Sequence, residues 1–277
     1  MYIAKIMKHR WEEEPISGIG KGFDGTFAIF FYGCNLRCVY CQNYKISRMA
    51  PKLIKEKGKF DKKVYYTFDE LSDEIIKAQN ENVASVSFIT GVLYINEIVE
   101  TIKLAKDKGL RIPVVYNSSG YELVSNIKKI DGLVDIYLPD FKYFSNELSK
   151  KYSGVGNYVE IAKLCIDEMY RQIKTNKSEG SKQLIVRHLV LPGNTENSKQ
   201  VIKYLYDTYK DDITISIMSQ YTPICQNEDI KPFSELNRRL TKREYEKVVN
   251  YAIDIGVKNA LIQEENVAFE SFIPDFK

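Results

Sequence analysis

Three cysteines crowd into one short loop, at Cys34, Cys38 and Cys41, with the spacing C-x3-C-x2-C. Thiolates are the preferred ligands of iron-sulfur clusters, and three of them can hold three irons while a fourth iron keeps an open coordination position. The same loop carries Asn35 and Arg37, which make it too polar for simple core packing. The spacing therefore predicts a [4Fe-4S] cluster with a site for chemistry at its open iron.

Zinc is the main alternative occupant of these cysteines. A structural zinc ion normally takes four cysteine or histidine ligands, so folding would have to deliver a fourth. The remaining candidates, His9, His188, Cys165 and Cys225, are scattered along the chain. A sensor or structural protein that binds zinc or a cluster without turnover therefore stays open, as do three buried cysteines with no metal.

The elements that must position this loop are buried strands alternating with amphipathic helices. Apolar runs rich in β-branched and aromatic residues predict strands over 26–32, 83–90, 112–117, 135–138, 184–191, 213–218 and 260–263. Helical spacing of apolar residues predicts helices over 68–80, 95–108, 160–174, 197–209 and 241–255. The cysteines directly follow the first predicted strand.

Such alternation predicts an α/β fold, a parallel sheet with its helices packed outside. Six or seven repeats suit a partial (β/α)6 TIM-type barrel, although an open doubly wound sheet fits the same pattern. In a barrel, a loop at the carboxyl end of a strand is the usual place for an active site. We expect a lead-in segment over 1–24, followed by one barrel domain over 25–277 with a C-terminal βα extension.

Composition restricts the function classes. The 277 residues carry a net charge of +3, from 40 basic and 37 acidic side chains, which is not the signature of a nucleic-acid-binding protein. No early stretch combines a basic start, an apolar run and a small-residue cleavage site, and no segment approaches the roughly 20 apolar residues that span a bilayer. We therefore expect a cytoplasmic protein that acts on neither nucleic acid nor membrane.

The cysteine loop, with Tyr40 before its last cysteine, resembles the signature of the radical S-adenosylmethionine (SAM) superfamily. The similarity extends along the chain to the pyruvate formate-lyase-activating-enzyme-like proteins, and in particular to their PflX-like branch. It is carried by Trp11-Glu12-Glu13-Glu14-Pro15-Ile16-Ser17-Gly18, Cys41-Gln42-Asn43, Asp135-Ile136-Tyr137-Leu138-Pro139-Asp140-Phe141-Lys142-Tyr143, Val186-Arg187-His188-Leu189-Val190-Leu191-Pro192-Gly193 and Met218-Ser219-Gln220-Tyr221.

The resemblance implies that SAM binds the open iron of a [4Fe-4S] cluster and is reductively cleaved to methionine and a 5'-deoxyadenosyl radical. The radical would abstract hydrogen from a protein or peptide substrate, as in an activase of a glycyl radical enzyme. A flavodoxin- or ferredoxin-type protein would supply the electron. The alternative within the same class is modification of a peptide or small metabolite.

Several polar residues at predicted strand ends resemble SAM-binding positions of activating enzymes. Asp140 and Lys142 form an Asp-x-Lys pair whose side chains point to the same side of a strand, although charged residues at strand ends also form ordinary surface ion pairs. Asn117 and Ser118 end another strand, in a sequence that also suits a turn. Arg187 is similar to an arginine that contacts SAM.

Regular alternation along a strand sends the side chains of Arg187 and His188 to opposite faces, so we expect Arg187 inside the barrel and His188 in a structural role. Thr90 and Gly91 follow the second predicted strand, where the resemblance places a SAM contact. Their sequence departs from the family's turn there, so they are candidates through their backbone only.

The remaining candidates lie nearer the rim of the predicted pocket. Met218 and Gln220 end the sixth predicted strand and are candidates for the adenine or substrate end of the pocket, with plain packing as the alternative. Tyr40 is predicted to shield the cluster or the adenine. The segment of Trp11, Glu12 and Glu13 is either a solvated lead-in or a cover on the substrate side.

Overall fold

Eight strands form one sheet whose spatial order is the chain order. The structure is a computed structural model, and it describes residues 1–49, 64–175, 182–223 and 230–263. The strands are β1 (Ile3–His9), β2 (Thr26–Phe31), β3 (Ser85–Ile89), β4 (Val114–Ser118), β5 (Ile136–Pro139), β6 (Gln183–Leu189), β7 (Thr214–Met218) and β8 (Ala260–Ile262).

Helices connect the strands. In chain order they are α1 (Glu14–Ser17), α2 (Tyr44–Ser47), α3 (Phe68–Gln79), α4 (Ile95–Asp107), α5 (Val124–Lys129), α6 (Asn146–Ser153), α7 (Tyr158–Thr175), α8 (Thr195–Tyr209) and α9 (Lys242–Asp254). Short 3-10 helices occur at Ile19–Lys21, Val92–Tyr94, Lys210–Asp212 and Ser234–Leu236. Each predicted helix is present, with ends shifted by one or two residues.

The sheet is parallel from β2 to β8, while β1 pairs with β2 in the antiparallel direction. The parallel strands with outer helices confirm the predicted partial barrel. β1 was not predicted, and it lies inside the segment expected to be a lead-in. Its apolar and charged residues are mixed along an edge strand, which weakens the alternation that marks a strand. The division at residue 24 stays a prediction.

The main core lies between the strands and the outer helices. Phe88 of β3 and Tyr116 of β4 are fully buried there, against Ile75 of α3 and Ile102 of α4. α3 begins with a capping box, in which Thr67 and Glu70 bond each other's backbone amides. Apolar faces of the helices thus cover the outer face of the sheet and leave the strand ends to the loops.

A separate apolar cluster fills the inside of the barrel. Ile16 of α1 is fully buried and packs with Val115, Ile136 and Ile185, which point inward from β4, β5 and β6. Ser85 donates its hydroxyl hydrogen to the carbonyl oxygen of Ile16 at 2.7 Å. The segment before β2 therefore enters the barrel and closes its interior towards the amino ends of the strands.

Two predictions fall on parts of the chain that are not described. Cys225 lies outside the described residues, as does most of the predicted C-terminal extension after β8. Among the described residues, no helix combines the length and apolar character needed to cross a bilayer.

Candidate active site

A cavity of about 250 Å³ opens at the carboxyl edge of the parallel strands. It is lined by the three cysteines of the loop after β2 and by side chains from the ends of five further parallel strands, β3 to β7. The predicted site residues that line it are Cys34, Cys38, Cys41, Tyr40, Thr90, Asn117, Asp140, Lys142, Arg187, Met218 and Gln220. Topology thus brings together residues that are distant in sequence.

Two predicted positions, Ser118 and Gly91, do not line this cavity. Ser118 donates its hydroxyl hydrogen to buried Glu122 at 2.5 Å, because its side chain leaves β4 on the face opposite to Asn117. Gly91 faces α4, and a Cβ added there would stand 2.3 Å from a methyl group of Ile98. Both residues shape the loops that carry their neighbours.

The cysteine loop is held by the carboxyl end of α6. The amide of Arg37 donates to the carbonyl oxygen of Ser153 at 3.2 Å, and that of Val39 donates to Tyr152 at 2.8 Å. The side chain of Asn35 donates to the carbonyl oxygen of Tyr121 at 2.5 Å. Carbonyl groups that a helix end leaves without intrahelical partners thus fix the loop backbone.

Burial dominates the chemistry of the thiols. It raises the pKa of Cys38 to about 12, against the nearby positive charge of Lys142, and it also raises the pKa of Cys34. In the free protein these groups are therefore thiols at neutral pH. Thiolate ligation of a metal releases those protons, so binding of a metal or cluster is coupled to pH.

The spacing of the donors bears on which metal group fits. In the described part of the chain, no three His, Cys, Asp or Glu side chains stand close enough together to hold a single metal ion. In a cluster each thiolate binds a different iron, so the three ligands stand further apart than around one ion. Three cysteines on one cavity wall are the donor set of a cluster with one open iron, whereas a structural zinc ion would take a fourth cysteine or histidine ligand.

Asp140 and Lys142 form an ion pair at the end of β5. Burial is the largest single influence and opposes the charge on Lys142, but Asp140, Cys38 and Tyr158 together outweigh it and raise the pKa of Lys142. Tyr158 secures the turn between them, because its hydroxyl accepts the amide hydrogen of Lys142 at 3.0 Å and lies 2.9 Å from the carbonyl oxygen of Asp140. The pair presents one cation and one anion to the cavity.

Gly120 lets the loop after β4 approach this pair closely. Its φ is +74°, and a Cβ there would lie 2.2 Å from the backbone oxygen of Asp140. Only a residue without a Cβ satisfies both conditions without strain.

Arg187 points into the barrel from β6 and pairs with Glu12 and Glu13, each of whose side chains is at most 10% exposed. The segment therefore does not behave as a solvated lead-in at these two positions. Trp11, at the mouth of the cavity, is 57% exposed. The family resemblance did not indicate that Arg187 pairs with Glu13. The two residues are 174 positions apart in sequence.

Thr90 has a φ of +59°, which is unusual for a β-branched residue. Its amide donates to the carbonyl oxygen of Asn117 at 2.9 Å, so the turn after β3 is bonded to the end of β4 at the cavity wall. Backbone strain of this kind collects at functional sites. This strain supports Thr90 as a candidate site residue.

His188 is 1% exposed on the outer face of β6. Its Nδ1 lies 2.8 Å from the carbonyl oxygen of Phe141, which can only accept, so Nδ1 carries the hydrogen and Nε2 accepts from Ser198 at 2.8 Å. Burial lowers the pKa of His188 to about 4. The structural role predicted for this histidine agrees with these contacts.

Sequence reasoning missed some cavity residues. His9, at the end of β1, lines the cavity. Its pKa is lowered to about 4, mainly by burial and to a smaller extent by the positive charge of Arg187. Ser119 reaches the same wall from the loop after β4. No local pattern marks His9, whereas Ser119 lies directly beside a predicted strand end and was within reach of the same argument.

The fold and the cysteine loop define a class of protein. Residues 28–205 match the family model described as the radical SAM superfamily, and this match covers more than half of the chain. The chain therefore belongs to the radical SAM superfamily.

Individual proteins are also similar to this chain. The uncharacterized protein MJ0674 of Methanocaldococcus jannaschii is 33% identical over 82% of this chain and 62% of its own length. The pyruvate formate-lyase-activating enzyme of Clostridium pasteurianum is 25% identical over 63% of this chain and 66% of its own length. The chain thus spans less than two thirds of the length of these relatives.

Solved structures agree on the fold. SuiB of Streptococcus suis bound to S-adenosylmethionine superimposes with a TM-score of 0.55 at 13% identity, over 84% of this chain and 48% of that one. HydG, a maturase of the [FeFe]-hydrogenase, gives a TM-score of 0.55 at 16% identity over 87% of this chain and 52% of its own. At these identities the likeness concerns the fold alone.

Proposed function

We propose that this protein cleaves SAM reductively at a [4Fe-4S] cluster held by Cys34, Cys38 and Cys41, and abstracts hydrogen from a polypeptide substrate. The observation that carries the proposal is the convergence of these cysteines with Asp140, Lys142 and Arg187 on one cavity. Under the alternative of a structural or sensor protein, the polar strand ends would have no reason to face the cysteines.

Cys34, Cys38 and Cys41 would hold the cluster, which in its reduced form would supply the one electron needed to split SAM into methionine and a 5'-deoxyadenosyl radical. The protein's own part is binding and orientation. The Asp140 carboxylate suits a ribose hydroxyl or an ammonium group, and Lys142 suits a carboxylate. Because both face one cavity, they can hold the two ends of a zwitterionic ligand in a fixed orientation.

Arg187 is the third candidate contact. Its guanidinium has five donors in a planar arrangement, and Glu12 and Glu13 use only some of them. Arg187 also lies beside Asp140 across the β5–β6 edge. The remaining donors would point a carboxylate or ribose towards the cysteine loop.

The substrate class rests on the named relatives. Pyruvate formate-lyase-activating enzymes of Clostridium pasteurianum and Streptococcus mutans are 25% and 23% identical to this chain. We therefore favour a protein substrate, with a glycyl radical as the product and a flavodoxin- or ferredoxin-type electron donor.

The first experiment is anaerobic reconstitution with iron and sulfide, followed by addition of dithionite and SAM and quantitation of 5'-deoxyadenosine. We expect a brown protein that forms 5'-deoxyadenosine, and a Cys38→Ala variant that forms none. A colourless protein with one zinc per chain would instead support the sensor or structural alternative.

A second experiment tests the substrate. The reconstituted protein and SAM are incubated with a candidate glycyl radical enzyme, and electron paramagnetic resonance is used to detect a glycyl radical. Formation of 5'-deoxyadenosine without any such radical, but with a mass change in a peptide or metabolite, would move the proposal to the other substrate class.

A further inference from the structure

A line of hydrogen-bonded hydroxyl groups runs from Cys38 into the protein core. The Ser153 hydroxyl oxygen lies 2.9 Å from the Cys38 sulfur and 2.7 Å from the Tyr143 hydroxyl. The Tyr143 hydroxyl in turn lies 2.6 Å from that of Tyr40. All four side chains are buried. The contact with Cys38 is therefore shielded from solvent.

Ser153 is fixed in this position by the end of α6. It is the last residue of the helix, and Gly154 follows in a left-handed conformation with φ +77°. Its carbonyl oxygen accepts the amide hydrogen of Arg37 from the cysteine loop at 3.2 Å. One residue thus holds the loop through its backbone and Cys38 through its side chain.

A thiolate at Cys38 would set the direction of every hydrogen in the line. A thiolate sulfur can only accept, so Ser153 must donate to it. The oxygen of Ser153 then accepts from Tyr143, whose oxygen accepts from Tyr40. Each hydroxyl has one hydrogen, and this arrangement uses all three without conflict.

The other two cysteines have longer contacts. The amide of Leu36 donates to the Cys34 sulfur at 3.4 Å, and the hydroxyl of Ser47 lies 3.5 Å from the Cys41 sulfur. Cys38 therefore has the shortest of these three contacts and a donor that is itself polarised by two further hydroxyls.

We propose that Ser153, supported by Tyr143 and Tyr40, is a positioning residue that raises the reduction potential of the cluster through its hydrogen bond to Cys38. Donors to ligand sulfurs withdraw electron density and favour the reduced cluster, which carries one more negative charge. The inference rests on the cluster proposed above and is independent of the substrate. It identifies one buried serine on α6 as a determinant of how easily the protein accepts its electron.

The test is a redox titration of the anaerobically reconstituted protein without SAM or substrate, followed by electron paramagnetic resonance of the reduced cluster. For Ser153→Ala we expect a midpoint potential more negative by about 59 mV, which is a tenfold loss in the equilibrium constant of a one-electron reduction. The matched control is Ser149→Ala, which removes another buried hydroxyl from the same helix. The Ser149 hydroxyl bonds the carbonyl oxygens of Asn146 and Val155 and does not contact a cysteine.

Tyr143→Phe keeps the ring and leaves Ser153 in place, so it should shift the potential in the same direction by a smaller amount. A Ser153→Ala potential equal to that of Ser149→Ala overturns the proposal. If Ser153→Ala does not hold a full cluster, an unchanged potential in Tyr143→Phe overturns it instead. Failure of the wild-type protein to take up a cluster contradicts the proposed function, which separates the two cases.

Discussion

The guanidinium of Arg187 donates its Nε hydrogen to the Glu13 carboxylate at 2.7 Å, across 174 positions of sequence. The same carboxylate oxygen accepts a hydrogen from Ser216 of β7 at 2.9 Å. A cation in β6 thus holds the segment before β2 inside the barrel, next to the cavity that the cysteines line.

Replacement of Arg187 by Met should destabilise the protein strongly. It leaves Glu12 and Glu13 side by side in a buried place without that cation, and breaking a buried ion pair costs about 3–5 kcal/mol. Urea unfolding measures the change in the free energy of unfolding. Combining Arg187→Met with Glu12→Gln and Glu13→Gln should restore most of the lost free energy of unfolding, because no buried charge is then left without a partner.

The control for this effect is Arg171→Met. Arg171 also pairs with two carboxylates, Glu168 and Asp131, but its side chain is 47% exposed. Surface pairs contribute about 0–1 kcal/mol. Equal losses in Arg171→Met and Arg187→Met would show that burial of the Arg187 pair is not what makes it important.

Single replacement of Cys34, Cys38 or Cys41 by Ala should abolish the visible absorbance of the reconstituted protein and the formation of 5'-deoxyadenosine, because each thiolate holds one iron. The circular dichroism spectrum should stay that of the folded protein. Cys165→Ala is the control, since Cys165 is buried away from the cavity. A full complement of iron in any of the three variants would remove that cysteine from the ligand set.

Asp140→Asn and Lys142→Met should each weaken SAM binding about 10- to 100-fold while the cluster stays intact, because a charge-assisted hydrogen bond contributes about 1.5–3 kcal/mol. Equilibrium binding to the reconstituted, oxidised protein measures this without turnover. Lys106→Met provides a control on an exposed helix face. Wild-type affinity in both site variants would mean that SAM lies elsewhere.

Gly120→Ala should weaken SAM binding, because the added Cβ would stand 2.2 Å from the carbonyl oxygen of Asp140 and would push that backbone out of position. Gly132→Ala is a matched control, with a φ of +76° and open space around the added Cβ. In both variants the left-handed backbone at the new alanine lowers the free energy of unfolding by about 1–2 kcal/mol. A loss of SAM affinity confined to Gly120→Ala would separate the contact with Asp140 from that shared cost.

His188 should make the free energy of unfolding fall as pH falls. Its pKa is about 4 in the folded protein and about 6.5 when unfolded, so below pH 6.5 the unfolded chain binds the extra proton. Stability is thus full above pH 6.5 and is lost as pH falls towards 4. Between pH 7.5 and 5.5 we expect a loss of about 1.4 kcal/mol from this group.

Urea unfolding of the wild-type protein and of His188→Gln at both pH values isolates this contribution. Glutamine cannot titrate, so the two proteins should differ in their pH dependence by that amount. The charged neighbours of His188 are Asp140, which raises its pKa, and Lys142, which lowers it. Parallel pH profiles for the two proteins would contradict the assignment of a neutral buried imidazole.

Sequence patterns predicted the parallel sheet because its strands are continuous apolar runs, buried on both faces. The family resemblance, rather than these patterns, suggested most of the candidate residues that line the cavity, and they meet there because the ends of parallel strands converge in a barrel. Ser118 was expected to line the cavity and does not. Adjacent residues of a strand point to opposite faces, and the sequence does not say which of Asn117 and Ser118 points inward.

α6 was missed for a different reason. Its buried residues include Ser149 and Ser153, so apolar periodicity does not reveal the face that packs. Its ends carry better signals, since Ser145 caps the helix and Gly154 ends it. The ion pair of Glu13 with Arg187 has no such local mark, because it depends on contacts between distant parts of the chain.

The entry of residues 13–16 into the barrel has a consequence for synthesis. Glu13 leaves the ribosome first but meets Ser216 only after 203 further positions have been made. Contacts of such sequence separation slow folding, because a long loop must close before they form. Until β6 and β7 have been made, Glu12, Glu13 and Ile16 lack the barrel interior in which they are buried in the folded protein. The barrel can therefore be completed only late in translation.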